Sequence, residues 1–294
     1  MKDYSKGYGR SYASIGAFVF YCLSHPRLIA PGLKVAFEAV RGFFVPQFRT
    51  AWFGGRPVVY VDHPLDKLVP YLPQKAPVYM SFVSLWMNAA MRLDRRYGER
   101  GRAGEFIRGI AEQYHDAAFV YKRIHSTTVR PKRIDDLYAA LIRVFDPHLN
   151  CVPSLHVSLA LGSWAMAAAV IAELGAEGYI DAGESEEAAD WLAGLYEHAL
   201  AIVDCTMLMK QHSVNCVGAS LWYLGCKYPE IFSGERLREI ADGLFSREAP
   251  RLKEAPAIRR RAAEVLDALG PIRSPTPGGS WLRPILRFLA SYRP

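Results

Sequence analysis

Three short stretches of the chain concentrate the residue types that hold phosphate and move protons. The first runs Arg123-Ile-His-Ser-Thr-Thr-Val-Arg130-Pro131. The second runs Asp146-Pro-His-Leu-Asn150-Cys-Val-Pro153-Ser154-Leu155-His156-Val157, and the third Cys205-Thr206-Met-Leu-Met-Lys210-Gln211-His212-Ser-Val-Asn-Cys216-Val-Gly218. Arg130 carries a planar fork that grips two phosphate oxygens at once, which a lysine cannot do, and Pro131 stiffens the backbone beside it. Pro153 and Ser154 open a helix, where unpaired backbone N–H groups and the helix dipole favour an anion. His156, one turn in, is an acid or base near neutral pH. Lys210 and Gln211 lead into His212 at the start of another helix, so a second imidazole and a second cation can meet the first. Arg123, beside Lys122, is a further candidate phosphate contact. His125 and His148 fall close to the motifs but in loops, where histidines are commonly incidental, and receive no role.

These groups act together only if the fold brings three distant stretches to one place. Helical periodicity predicts helices over 11–23, 32–44, 78–95, 103–121, 135–145, 154–174, 187–209, 212–224, 234–245, 257–269 and 281–292, and only 57–61 alternates like a strand. The helix from Ser154 runs away from its start, an acidic stretch from Gly175 to Asp190 with six acids reads as a solvated turn, and the next helix runs back. Both are near 20 residues long, so His212 returns to the level of His156. The expected architecture is an all-α helical bundle with an N-terminal helical extension over 1–70, a core over 71–230 and a C-terminal helical tail over 231–294.

With 294 residues, 51% of them apolar, the chain can bury a large core. Lys and Arg outnumber Asp and Glu by 36 to 29, and the excess is clustered, which suits anionic membrane or phosphate. The arginine-rich stretch 92–102 holds one aromatic residue, Tyr97, and no series of them interleaved to stack on bases, so nucleic acid is not an expected partner. Five cysteines, Cys22, Cys151, Cys205, Cys216 and Cys226, lie mostly in apolar runs without metal-ligand spacing and read as reduced core residues. Lys2, Lys6 and Arg10 precede a short apolar run, read as an uncleaved helix. A membrane span needs roughly 20 apolar residues, and the best run here, Leu155 to Ala172, has 18. Membrane association is therefore expected through short apolar helices and a basic amphipathic end, Trp281 to Arg293, a soluble protein being the alternative.

In this order the three stretches resemble the signature of the type 2 phosphatidic acid phosphatase superfamily. That signature is a Lys or Arg, six residues, then Arg-Pro; a Pro-Ser-Gly/Leu-His block; and a His followed four residues later by Asp. Arg123 to Pro131 matches the first part, Pro153 to His156 the second and His212 the third. The form Asp-x-x-x-Asn-x-x-Pro-Ser-Leu-His-Val with Lys-Gln-His is similar to the branch containing inositol phosphorylceramide synthases. The resemblance covers roughly residues 70–225. It implies the helical bundle of that superfamily, a lipid-like phosphoester substrate and no metal or other cofactor. His212 would be the nucleophile that forms a phosphohistidine, and His156 would protonate the leaving alkoxide and then activate water or an acceptor alcohol. Arg130, Arg123 and Lys210, with the amides near Ser154, would stabilise the transferring phosphoryl group. Two positions depart from the pattern: Thr206 stands where many members have Arg, and Cys216 where the Asp belongs. On a helix, positions i and i+4 share a face, so that Asp can hold the nucleophile's other ring nitrogen, and a thiol is a weak acceptor in its place. The alternative implied function is a catalytically impaired descendant that binds phosphate or phospholipid.

Overall fold

Residues 15–131, 137–247 and 252–293 are described by the computed structural model. The chain is all-α in character, 74% helix against 3% strand, so helix packing organises the molecule and sheet acts only locally. The first elements are α1 (Ile15–Ser24), α2 (Pro26–Glu38), a π-helical turn (Ala39–Phe44) and α3 (Val45–Phe53). The last three run on without a break, longer than the expected 32–44. Pro26 and Pro46 sit at first-turn positions, where a missing N–H costs little. Pro46 still denies the carbonyl of Gly42 a donor, and the π turn accommodates this by inserting a residue. The buried positions Glu38, Gly42, Pro46 and Thr50 therefore recur every four residues on one side.

Next come β1 (Val58–Tyr60), α4 (Ala76–Met80) and α5 (Phe82–Tyr97). The expected helix 78–95 is broken at Ser81, whose hydroxyl donates to the Val78 carbonyl at 2.6 Å and meets His198 Nε2 at 2.7 Å. Then follow α6 (Ala103–Tyr121), β2 (His125–Thr127), α7 (Leu137–Phe145), α8 (Leu155–Ala176), α9 (Ala182–Leu208), α10 (Val214–Lys227), α11 (Gly234–Asp242), α12 (Ala255–Leu269) and α13 (Arg283–Ser291). The expected helix starts at Ser11 and Asp135 lie outside the described residues. The acidic turn is shorter than expected, because α9 begins at Ala182. Asp181 caps it, accepting from the Glu184 N–H at 2.8 Å, and the acids that follow lie at the positive end of the helix, where they stabilise it.

Apolar on every side, α8 must be buried, and it packs against α5, α6, α9 and α10. It is also the one described helix long and apolar enough to cross a membrane, a property it shares with the core helices of soluble proteins. A single hydrophobic cluster draws on residues from Phe18 to Tyr292, so the flanking segments 1–70 and 231–294 share the core of 71–230. The C-terminal end corrects one expectation. The apolar side of α13, Ile285 and Leu289 with the preceding Trp281 and Leu282, is buried in that core, and is not free to enter a membrane.

Candidate functional site

Short stretches of extended backbone tie the three motifs together. β1 pairs in parallel with β2, Val58 opposite His125 and Tyr60 opposite Thr127. Ser126 then joins the first motif to the second: its N–H donates to the Leu149 carbonyl at 3.0 Å, its carbonyl accepts from Cys151 at 3.1 Å, and its hydroxyl accepts from the Val152 N–H at 2.8 Å. The third motif is fixed to the same frame. Asn215 donates to the Val61 carbonyl and the Tyr292 hydroxyl, each at 2.9 Å, and the Val214 N–H donates to Asp66 at 2.9 Å. Residues from both flanks, Asp66 and Tyr292, thus help hold the motifs in place.

The approach to His212 is a Schellman motif closing α9. The Lys210 N–H donates to the Met207 carbonyl at 2.9 Å, and the Gln211 N–H to the Thr206 carbonyl at 3.0 Å, with Lys210 in the left-handed region at φ 53°. Glycine usually occupies that position, and a side chain there costs roughly 1–2 kcal/mol. Lys210 Nζ donates to the backbone carbonyls of Asp66 and Val69, which anchors the turn. Ser213 then caps α10, so His212 lies just before that helix and not in it.

His156 and His212 meet at the N-terminus of α8. Their ring centroids are 5.4 Å apart, and His156 Nδ1 faces His212 Nε2 at 3.4 Å, with the Tyr79 hydroxyl also 3.4 Å from His156 Nδ1. Ser154, the cap of α8, places its hydroxyl 3.1 Å from His212 Nε2. The His156 ring stacks on Tyr79 and touches Phe82, each at 4.2 Å between centroids. Burial pushes the His212 pKa down to about 3, the backbone of Cys151 opposing and Arg130 adding to the fall. His156 is likewise well below its ordinary value, through burial, then His212 and Arg130. Both rings are therefore neutral at pH 7. His212 Nδ1 is buried and makes no well-formed hydrogen bond.

Arg130 is the cation nearest these rings. One nitrogen donates to the Asp146 carbonyl at 3.1 Å and another lies 3.3 Å from its carboxylate, while Nε is buried without a partner. Asp146 also accepts from the His148 N–H at 2.8 Å, and burial raises its pKa against the pull of Arg130. His212 forms the wall between two spaces. On one side a cavity of about 280 Å³ is bordered by Thr128, Arg130, Lys210 and His212, with Asp62 and Asp66 opposite. On the other, a void of about 10 Å³, room for roughly one water, is bordered by His148, His156 and His212.

Of the residues singled out in the sequence, Arg130, Lys210 and His212 border the larger cavity, and Ser154 and His156 contact His212. Arg123 stands apart. It is exposed, folded over the Phe119 ring at 3.7 Å and donating to the Phe119 carbonyl at 2.6 Å. Six residues of nearly extended chain, at roughly 3.3 Å each, separate it from Arg130. His125 is a framework residue, 2.8 Å from the Thr50 hydroxyl and 3.0 Å from Asn150. His148, by contrast, belongs to the site: its ring centroid is 6.4 Å from that of His212 and its Nε2 is 2.7 Å from the Thr128 hydroxyl. Asp146 and Asp66 were also missed as partners of the cations. The signal for Asp146 and His148 was the Asp-Pro-His turn, in which an aspartate accepts from the N–H two residues on. Comparison with protein-family models, curated proteins and solved structures finds no match to this chain.

Proposed function

We propose that the chain is a phosphatase or phosphotransferase of the type 2 phosphatidic acid phosphatase kind, acting on a lipid-like phosphoester through a phosphohistidine at His212. The carrying observation is a pair of buried, neutral imidazoles in contact, 3.4 Å between nitrogens, beside a cavity that Arg130 borders. Nitrogens that close leave no room for a phosphoryl group between them, so substrate entry separates the rings. His156 is held by Tyr79 and Phe82, and His212 is the ring that opens on the cavity. A phosphate dianion near His156 raises its pKa, and the protonated ring then serves as the acid.

In the first step the His212 lone pair bonds to phosphorus, the phosphorus–oxygen bond to the alkoxide breaks, and the alkoxide takes the His156 proton. In the second, His156 takes a proton from water or an acceptor alcohol, whose oxygen bonds to phosphorus as the phosphorus–nitrogen bond breaks. Arg130 neutralises charge on the transferring group, once its contact with Asp146 is shared with the phosphate. Lys210 adds positive potential from the rim.

A second reading, an impaired descendant that binds phosphate or phospholipid without cleaving it, is favoured by one observation: His212 Nδ1 makes no well-formed hydrogen bond, Cys216 standing in the sequence where the pattern has Asp. Phosphate release from phosphatidic acid, isoprenoid phosphates and a chromogenic ester, with and without vanadate, separates the two. The expected result is vanadate-sensitive release that His212→Ala abolishes, with acid-labile label retained on His156→Ala after incubation with labelled substrate. Vanadate binding without release from any substrate would favour the second reading.

A further inference from the structure

The outer face of α2, the π turn and α3 leaves large apolar side chains in solvent. Leu33, Phe37, Val40, Phe44, Trp52 and Phe53 are all exposed, Trp52 and Phe53 by 72% and 80%. The first four follow one another at four, three and four residues, a single stripe of a helix, on the side away from buried Val35, Glu38 and Gly42. Monomeric soluble proteins rarely expose a continuous apolar face of this kind.

Charge on the same segment is one-sided. From Ile15 to Val61 the sequence holds five Lys and Arg but a single acid, Glu38, and that acid is buried and 3.3 Å from His115. Lys34, Arg41 and Arg49 are exposed and form no ion pair with a described residue, and Arg41 lies 5.3 Å above the Phe37 ring. Apolar side chains with cations beside them match a bilayer that has anionic headgroups. A second copy docking through the same face would instead set cation against cation.

The face is also joined to the phosphate site. Phe43 borders the histidine void, while Phe44, its neighbour, stands outside, and Asn150 donates to the Phe43 carbonyl at 3.0 Å. One helix diameter, roughly 10 Å, separates the two sides. We infer that this face is a docking surface for anionic bilayers, seating the protein with its phosphate cavity near the headgroup plane. The inference stands on exposure and charge and does not depend on the catalytic reading.

The test is flotation of the full chain with vesicles of phosphatidylcholine alone and with phosphatidylglycerol added. Wild type is expected to float with the anionic vesicles and to release at high salt in part. Replacing Phe37, Trp52 and Phe53 together by Ser should weaken binding by about tenfold or more, and Lys34→Glu with Arg49→Glu should remove the preference for anionic lipid. Trp52→Phe, a mild change at an exposed site, should still float but lose part of the fluorescence quenching by brominated lipid. Failure of the wild type to float, or equal flotation of the triple variant, would overturn the inference. So would self-association that the triple variant abolishes in a protein that ignores vesicles.

Discussion

Cys216 lies in the third turn position of α10, and its surroundings differ from what spacing alone implies. Ser213 separates His212 from the helix, so residues 212 and 216 do not share a helix face in the ordinary i, i+4 sense. The thiol instead faces the Ser213 N–H at 3.4 Å, in the place where a capping box normally carries a carboxylate or amide. Burial pushes the thiol pKa well up, keeping it neutral and a weak acceptor. Asp66 takes over part of the vacant work by accepting from the Val214 N–H, but no carboxylate among the described residues meets His212 Nδ1, which makes no well-formed hydrogen bond. An aspartate at 216 would be favoured by the helix N-terminus and opposed by Asp66 and Asp62, whose charges already act on the thiol. Cys216→Asp would complete the capping box on Ser213 and firm the turn that carries His212, and is expected to raise phosphate release by about tenfold or more. In serine proteases, losing the aspartate that orients the histidine costs about 10⁴ in turnover. The comparison is release by wild type, Cys216→Asp and the double variant Cys216→Asp/His212→Ala at equal concentration. An unchanged rate in Cys216→Asp would show that orientation of His212 is not limiting.

At the scale of elements, α10 carries the third motif and is seated on α12 by a glycine. A methyl group at Gly218 would stand 2.7 Å from Val265 Cβ and 2.8 Å from the Ala262 carbonyl, neither the end of a flexible chain. Gly218→Ala should therefore destabilise the protein by about 1–3 kcal/mol despite its better helix propensity. Gly162→Ala, whose methyl would meet only the Gln113 side chain, should cost less. Urea unfolding of both decides it, and equal midpoints would refute the packing argument. These elements also show what a sequence can and cannot reveal. The helix 103–121 was legible to the residue because nineteen positions share one period with clear ends. The approach of His156 and His212 follows from two long apolar helices joined by a short turn. β2 was not legible, since three residues carry no period and are extended only because β1, more than sixty residues away, pairs with them. The run from Pro26 to Phe53 was obscured by prolines whose cost depends on their place in the turn. The role of His148 depends on a left-handed turn at φ 64° that no spacing announces.

For the whole molecule, the buried imidazoles make stability depend on pH. His148, His156, His198 and His212 are all depressed by burial, His198 to about 4 and His212 to about 3, the other two well below 6.5 for His148 and His156. Their folded values lie below their unfolded ones, so their contribution is present above about 6.5 and is lost as pH falls toward the folded values. Between those limits the unfolded chain binds protons that the native protein refuses. The raised carboxyls Asp66, Asp116 and Asp146 act in the opposite sense, since the native state takes up their protons first, but their ordinary range lies lower. At pH 5 His198 and His212 each cost about 2 kcal/mol relative to high pH, His148 and His156 act in the same direction, and the imidazoles dominate between 7 and 5. Urea midpoints are expected to fall steadily over that interval. His198, which pairs with Ser81 and does not border the cavity beside His212, supplies the internal control. His198→Gln keeps a polar partner for that hydroxyl, removes one titrating ring, and should recover about 2 kcal/mol of the difference between pH 7 and 5. A stability that stays flat or rises as pH falls from 7 to 5 would mean that these rings are solvated or charged in the folded protein, and with them would go the neutral His212 on which the proposed attack on phosphorus depends.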